Sequence, residues 1–335
     1  MRGVIIGCGL IARSHALAIQ RNSKSQLVGV CDVNITKAES LAIEYDTKAF
    51  TDAEVMIRTV RPDFAVICVP TYLHKEYTCL CADAGVHVLC EKPLERTYDR
   101  SKLLVDVVKE TNIIFMTAQV VRFWPGYDRI KQLYEHGNLG NILMIHLRRV
   151  SSRDDSYSGW LFDPALGGGA MFDMLVHDVD YLRYLCGGFS QCYANAVRDS
   201  TGCYNDVFAN IIHKNGIHSV AECSFNMQKG YPFSFSVKIV GTESTVEFNY
   251  SAGATIADRS SSLSEMKIWR SNRPLDRILF DLNIDPYQIQ MDYFLDCIES
   301  NRYPEIITPE ESMEVIQMIE AIYESAENNK VIKIN

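Results

Sequence analysis

The sequence predicts an α/β protein of two domains: an N-terminal doubly wound parallel sheet, then a C-terminal α/β domain with a large, mostly antiparallel, open-faced sheet. Three observations carry this reading. The 335 residues exceed the size at which a single hydrophobic core stops growing. Through residue 118, short apolar runs alternate with helix-period segments, the pattern of a parallel sheet covered on both faces. Beyond Gln119, strand-like runs follow one another with turns between them, as in an antiparallel sheet. The expected division is residues 1–120 and 121–335.

In chain order, GVIIG (3–7) reads as a strand, LIARSHALAIQR (10–21) as a helix, QLVGVCD (26–32) as a strand and TKAESLAIEY (36–45) as a helix. FAVICVP (64–70), VHVLCEKP (86–93) and IIFMTAQ (113–119) are further apolar strands, separated by helical patterns near 73–84 and 97–109. RFWPGYDRIKQLYEHGNLG then holds a Pro-Gly turn and a short amphipathic helix ending near Gly137. Strands are expected at 141–150, 190–198, 206–213, 217–225, 233–240 and 244–250, a polar small-residue loop at 251–265, helices at 286–300 and 309–327, and a last strand at 331–334. An antiparallel sheet with helices on one face leaves the other to be buried, so a homo-dimer or homo-tetramer through that open face is expected.

The first turn is GCGLIA, residues 7–12. Standing alone, G-x-G-x-x-G/A is a weak signal; between a strand and a helix it has the context that gives it meaning. Gly7 permits a tight turn, Gly9 lets backbone approach a pyrophosphate, and Ala12 lets helix and strand pack closely. The helix N-terminus, opening with Leu10 and Ile11, offers unpaired N–H groups and positive dipole charge to phosphates. Asp32 ends the second strand 20 residues after Ala12, where a carboxylate accepts hydrogen bonds from ribose hydroxyls. It would repel a 2′-phosphate, Val33 and Asn34 bring no guanidinium, and Lys37 is the one cation that can swing near. NAD is therefore favoured over NADP.

Composition narrows the class. Hydrophobic residues make up 47% and charged residues 22%, ordinary for a soluble globular chain. The formal net charge of −9 argues against nucleic acid or an anionic membrane as partner. No apolar run reaches the roughly 18 residues a membrane span needs, and the strand directly after Arg2 leaves no room for a secretory signal. Eleven cysteines with no C-x-x-C pair read as reduced thiols of a cytoplasmic protein, with Cys8, Cys31, Cys68 and Cys90 in apolar strands. Cys79, Cys81 and Cys90 lack zinc-ligand spacing, so no metal is expected.

The most charged apolar stretch is GGGAMFDMLVHDVDYL, residues 167–182. On one continuous helix, Asp173, His177, Asp180 and Tyr184 fall on a single stripe, Asp178 points away, and Met171, Met174, Leu175, Leu182 and Leu185 supply apolar contacts. Asp173 and His177 meet at i and i+4.

In combination, GCGLIA, Asp32, VPTYLH (69–74), CEKP (90–93), GGGAMFDMLVHDVD (167–180) and DYFLDCIESNRYPE (292–305) resemble the glucose–fructose oxidoreductase / inositol dehydrogenase / MocA family of NAD(P)-dependent oxidoreductases, over essentially the whole chain. The resemblance implies a Rossmann domain followed by an α/β domain that carries substrate and oligomer contacts. It implies that Lys92 is the catalytic lysine and that Asp173 and His177 are the pair of the D-x-x-x-H motif. It further implies that Pro70, Thr71, His74, Glu91 and Gln119 line the cofactor. Substrate positions vary across the family, so no particular sugar follows.

Chemistry leads to the same residues. Ligands of open α/β sheets bind beyond the carboxyl ends of the strands, where Pro70-Thr71 and Glu91-Lys92 stand. Oxidising a secondary alcohol needs an acceptor for hydride and a base for the proton. His177 suits the base, Asp173 its orientation, and Lys92, facing them across the substrate, the alkoxide charge. The glycines at 167–169 would let backbone approach the substrate. Arg122, Trp160 and Asp180 are candidates to line the substrate site. The expected activity is an NAD-dependent dehydrogenase of a cyclic polyol, sugar or sugar derivative. A second enzyme class uses the same residues, glycoside cleavage through transient sugar oxidation with NAD retained; a third reading is NAD sensing without catalysis, against which Lys92, Asp173 and His177 together argue. His15, His136, His146, His213 and His218 show no partner in the sequence and receive no chemistry.

Overall fold

The structure, a computed structural model, describes residues 1–153, 159–252 and 262–334. It divides into two compact units, Met1–Phe123 with Asp285–Ile316 and Trp124–Ile284 with Gln317–Asn335.

In the first unit β1 (Arg2–Ile6), α1 (Leu10–Arg21), β2 (Gln26–Cys31), α2 (Ile35–Glu44), β3 (Ala49–Phe50), α3 (Ala53–Val60), β4 (Phe64–Ile67), α4 (His74–Asp83), β5 (His87–Cys90), α5 (Tyr98–Glu110) and β6 (Phe115–Thr117) follow in order. The strands form a parallel sheet in the order β3-β2-β1-β4-β5-β6. The order reverses between β1 and β4, where such sheets open a crevice at the strands' carboxyl ends. All four residues of β4 are buried, as a strand covered on both faces requires. β3 and α3 go beyond the sequence reading. A two-residue strand shows no period, while α3 is announced by Asp52, whose side chain accepts from Val55 N at 2.9 Å as an N-cap.

The second unit opens with α6 (Pro125–Glu135), β7 (Ile142–Ser152), α7 (Ala170–Asp173) and α8 (Leu175–Cys186). It continues with β8 (Phe189–Arg198), β9 (Tyr204–His213), β10 (His218–Met227), β11 (Ser234–Gly241), β12 (Ser244–Ser251), β13 (Leu263–Arg270) and β14 (Asp276–Leu279). In the chain, α9 (Pro286–Glu299), which belongs to the first unit, and α10 (Pro309–Asn328) precede the short β15 (Ile332–Lys333) of the second. The sheet runs β14-β13-β12-β11-β7-β10-β9-β8-β15. Every pairing is antiparallel except that of β7 with β10. β13 starts inside the stretch expected to be a loop; residues 253–261 of that stretch lie outside the described residues.

Residues 285–316, expected in the second domain, cluster with the first unit. The reason is apolar: Met291, Phe294 and Leu295 of α9 join Ala12, Ala16 and Ile19 of α1 in one buried cluster, with Phe294 edge-on to Phe64 at 6.0 Å. Asn22 Nδ2 donates to Asp292 at 2.7 Å and Gln288 Nε2 to the Ala18 carbonyl at 3.2 Å. A packing partner more than 260 positions away leaves no local signature. Among the described residues no helix is long and apolar enough to cross a membrane.

The core of the second unit holds a charged group. Asp178 on α8 accepts from Arg149 on β7 through both oxygens, at 2.9 and 3.1 Å, and Arg149 also donates to the Tyr127 hydroxyl at 3.0 Å. Burial lifts the Asp178 carboxyl above its usual range while Arg149 pulls it back. The bidentate fork keeps two charges tolerable in an apolar setting. Asp178→Ala leaves Arg149 buried without its counter-charge and is expected to destabilise the fold by about 3–5 kcal/mol, read as a lower urea midpoint.

Candidate active site

The first unit carries a cradle at its strands' carboxyl edge. Gly7 has φ +94°, and a Cβ there would stand 2.5 Å from the Cys68 carbonyl oxygen, so the turn requires glycine. A Cβ on Gly9 would meet nothing within 4 Å. Gly9 has no side chain to cap α1, and the first turn of that helix holds no acidic residue, so its N–H groups and dipole face outward beside Leu10 and Ile11. Asp32 is fixed by main-chain donors: one oxygen accepts from Cys8 N at 2.9 Å, the other from Asn34 N at 2.8 Å. Lone pairs remain for a diol. Glycine turn, bare helix end and pinned carboxylate fit a dinucleotide's pyrophosphate and ribose. Burial, and then the charge of Asp32, push the Cys8 thiol up to about 12, so it is no nucleophile here.

Further along the same edge, Pro70 is half-buried and Thr71 buried where a short 3-10 turn follows β4. His74 differs from its expected role. Its imidazole is buried, with Nδ1 2.8 Å from the Pro93 carbonyl and Nε2 3.0 Å from that of Val69. Burial lowers its pKa. It braces the loops after β4 and β5 against each other instead of lining the cradle. Glu91 is also buried; its Oε1 lies 2.7 Å from His15 Nε2 and its Oε2 accepts from Lys92 N at 3.1 Å. Lys92 itself is half-buried. Gln119, past β6, is buried, and its Oε1 has no hydrogen-bond partner among the described residues; a ligand amide would satisfy such an acceptor.

The second unit holds the other pair. Asp173 closes α7, Met174 joins at φ −96° and ψ −49°, and α8 begins at Leu175. The expected single helix is thus broken between the two residues of the motif, with His177 N donating to Met174 O at 3.2 Å. Across residues 167–182 only Asp173 and His177 are half-buried; every other residue is buried. The glycines serve local packing, which corrects the role expected of them. A Cβ on Gly167 would fall 2.3 Å from the Leu161 carbonyl oxygen, and one on Gly169 2.4 Å from Asn205 Oδ1, which accepts from Ala170 N at 2.8 Å.

Two expected substrate residues do not fit that role. Arg122 has a buried guanidinium that donates to Glu311 at 2.6 Å and to the Ile306 carbonyl. Asp180 is fully buried. Trp160 is half-buried in a short 3-10 turn, Gly159–Phe162, and keeps its place as a candidate. His15, which the sequence left without a partner, is the residue missed. Its neighbours Ala12, Ala16 and Ile19 already mark its side of α1 as the apolar one.

The first unit therefore defines a dinucleotide-binding α/β protein. The chain belongs to the glucose–fructose oxidoreductase / inositol dehydrogenase / MocA family: residues 1–119 match its oxidoreductase model with the NAD-binding Rossmann fold, and residues 127–247 match its C-terminal domain. Levoglucosan dehydrogenase of Pseudarthrobacter phenanthrenivorans is 32% identical over 220 residues, 56% of each chain. The chain thus spans about half the length of this and other curated relatives that it matches. D-xylose 1-dehydrogenase (NADP(+)) 2 of Haloferax volcanii is 24% identical over 340 residues, the whole of both chains. A solved structure of levoglucosan dehydrogenase with NADH and L-sorbose has TM-score 0.89 at 23% identity, covering 100% of this chain and 99% of that one. At that identity the likeness concerns the fold.

Proposed function

We propose that the chain is an NAD-dependent dehydrogenase acting on a secondary alcohol carbon of a cyclic polyol, sugar or sugar derivative. The observation that carries this reading is the selective exposure of Asp173 and His177 in a stretch otherwise buried. Stability alone gives no reason to keep an ionisable pair at the surface of a core helix.

When bound, NAD supplies the acceptor for the hydrogen that leaves the alcohol carbon with its electron pair. His177 takes the hydroxyl proton and returns it in the reverse direction, a task that suits an imidazole. Asp173 orients the ring and stabilises its protonated form. The Lys92 ammonium stabilises the developing alkoxide. The turn at Gly7 and Gly9, with the N-terminus of α1, holds the pyrophosphate. Asp32 holds the ribose and disfavours a 2′-phosphate, and Lys37, a candidate to offset it, is exposed.

The same reading takes the chain to be a homo-oligomer. The sheet face opposite the helices carries Met144, Val197, Phe208, Leu263, Trp269 and Leu279, with Phe208 50% and Leu279 71% exposed. Ion pairs of Arg148 with Glu222 and of Lys238 with Glu247 lie among them. Apolar groups set between paired charges suit a two-fold interface between copies.

Three outcomes are expected. In a screen of levoglucosan, myo-inositol and D-xylose followed by NADH absorbance, Lys92→Met and His177→Ala should each lower kcat by about 10² or more. NADH affinity should stay within about threefold by fluorescence titration, since neither substitution removes a group assigned to the pyrophosphate or ribose; parental turnover in either variant would overturn the role assignment. Asp32→Asn keeps the shape of the turn and should weaken NADH by roughly tenfold or more while NADPH gains relative to it. An unchanged ratio of the two dissociation constants would remove the ribose assignment. Phe208→Glu should reduce the light-scattering mass to that of one chain, and an unaltered mass would place the interface elsewhere.

A further inference from the structure

The first unit buries an imidazole–carboxylate pair that the mechanism does not use. His15, one and a half turns into α1, is fully buried, and Glu91, just past β5, is 7% exposed. His15 Nε2 and Glu91 Oε1 are 2.7 Å apart. The other oxygen, Oε2, accepts from the main-chain N–H of Lys92 at 3.1 Å. The ring's remaining nitrogen, Nδ1, is buried with no hydrogen-bond partner among the described residues, and Tyr287 of α9 packs edge-on at 5.6 Å.

Packing does not account for this arrangement. Apolar side chains of like volume serve a buried site at least as well as an ionisable pair, and an orphaned ring nitrogen adds a further cost. What the pair does, and an apolar pair could not, is join two elements through one carboxylate. Oε1 is anchored on the helix that starts at the glycine turn, roughly 7.5 Å from its beginning at about 1.5 Å per residue. Oε2 is anchored on the backbone of the lysine. On the far side of that loop, Glu95 accepts from Lys75 N at 3.0 Å, from Arg96 N at 3.1 Å and from Arg100 Nε at 3.0 Å. That second brace ties the loop to α4 and α5.

We propose that His15 is a positioning residue: acting through Glu91, it sets the Lys92 backbone in register with the cofactor-binding helix α1. The proposal rests on Lys92 acting on substrate as described above. It assigns His15 no contact with substrate or cofactor. It makes the amine's placement depend on the helix that receives the pyrophosphate, and not on the end of β5 alone.

Hydrogen–deuterium exchange on the full-length chain tests it without a known substrate. His15→Ala should speed exchange across residues 91–95 by about fivefold or more, as a hydrogen-bonded loop loosens locally. Arg13→Ala, on the exposed face of the same helix, should leave that segment unchanged. His15→Gln, which restores an N–H toward Glu91, should return exchange to within about twofold of the parent. NADH affinity by fluorescence titration should stay within about threefold in all of them, because neither substituted residue is assigned to the pyrophosphate or the ribose. On any substrate found in the screen, kcat of His15→Ala should fall about tenfold with KM little changed.

Unaltered exchange across 91–95 in His15→Ala would overturn the proposal. So would acceleration spread evenly over the whole unit and not rescued by glutamine, since that describes a structural role. Should His15→Ala fail to fold, Glu91→Ala decides: it removes the oxygen that accepts from the Lys92 N–H, and exchange there must rise. The two readings fail separately. Normal turnover in Lys92→Met removes the catalytic reading on which this one rests, whereas a dead Lys92→Met with an unloosened His15→Ala loop removes the positioning role alone.

Discussion

Main chain packs on main chain at Gly7, and the first unit's geometry follows from that contact. A side chain there would lie 2.5 Å from the Cys68 carbonyl oxygen, so glycine alone allows the end of β1 to close on the end of β4. The closure occurs at the reversal of strand order. It sets Gly7 N to donate to Cys31 O at 2.8 Å and Cys8 N to the Asp32 carboxylate at 2.9 Å. A bare helix end and a fixed acid are thereby delivered by backbone packing, before any side chain of the cradle is considered. Precision of this kind belongs to rigid elements, and loops alone seldom supply it.

Burial sorts the ionisable residues of the helix region into two kinds. Asp178 is taken wholly out of water and receives both arms of Arg149; without them its charge would be very costly. Asp173 and His177, five and one positions before it, stay half-exposed. Met174 interrupts the helix between them, with α7 closing at Asp173 and α8 opening at Leu175. Adjacent ionisable residues, His177 and Asp178, thus meet different surroundings, the first half-buried and the second fully buried against Arg149.

Much of the fold was legible. α1 was read to the residue, Leu10–Arg21, because its apolar period and flanking turns are strong local signals. Continuous apolar strands and the glycine turn gave the parallel sheet, and alternation gave most strands of the second. What was not legible has physical reasons. β3 is too short to show a period, and β13 follows a run of serines that reads as loop. α9 pairs with α1 through Phe294 and Leu295, and nothing in its own amphipathic pattern says which surface it covers. In the candidate site, motif spacing singles out Gly7, Asp32, Lys92, Asp173 and His177, while the burial and partners of His74, Arg122 and His15 show only in the folded chain.

A motif supplies residue types in order, and it does not distinguish the group that meets a ligand from the group that holds it in place. His74 has both ring nitrogens on carbonyl oxygens of two loops, so it is a strut within a segment expected to line the cofactor. Arg122 is bound to Glu311 inside its own unit, where its bulk near the domain boundary suggests a substrate contact. His15 errs in the other direction: dismissed for want of a sequence neighbour, it meets Glu91 from 76 positions away. Each case turns on a desolvated polar group, whose cost forces it to find a partner. The partner's identity, fixed only by the folded chain, then says whether the residue faces the ligand or stands behind one that does.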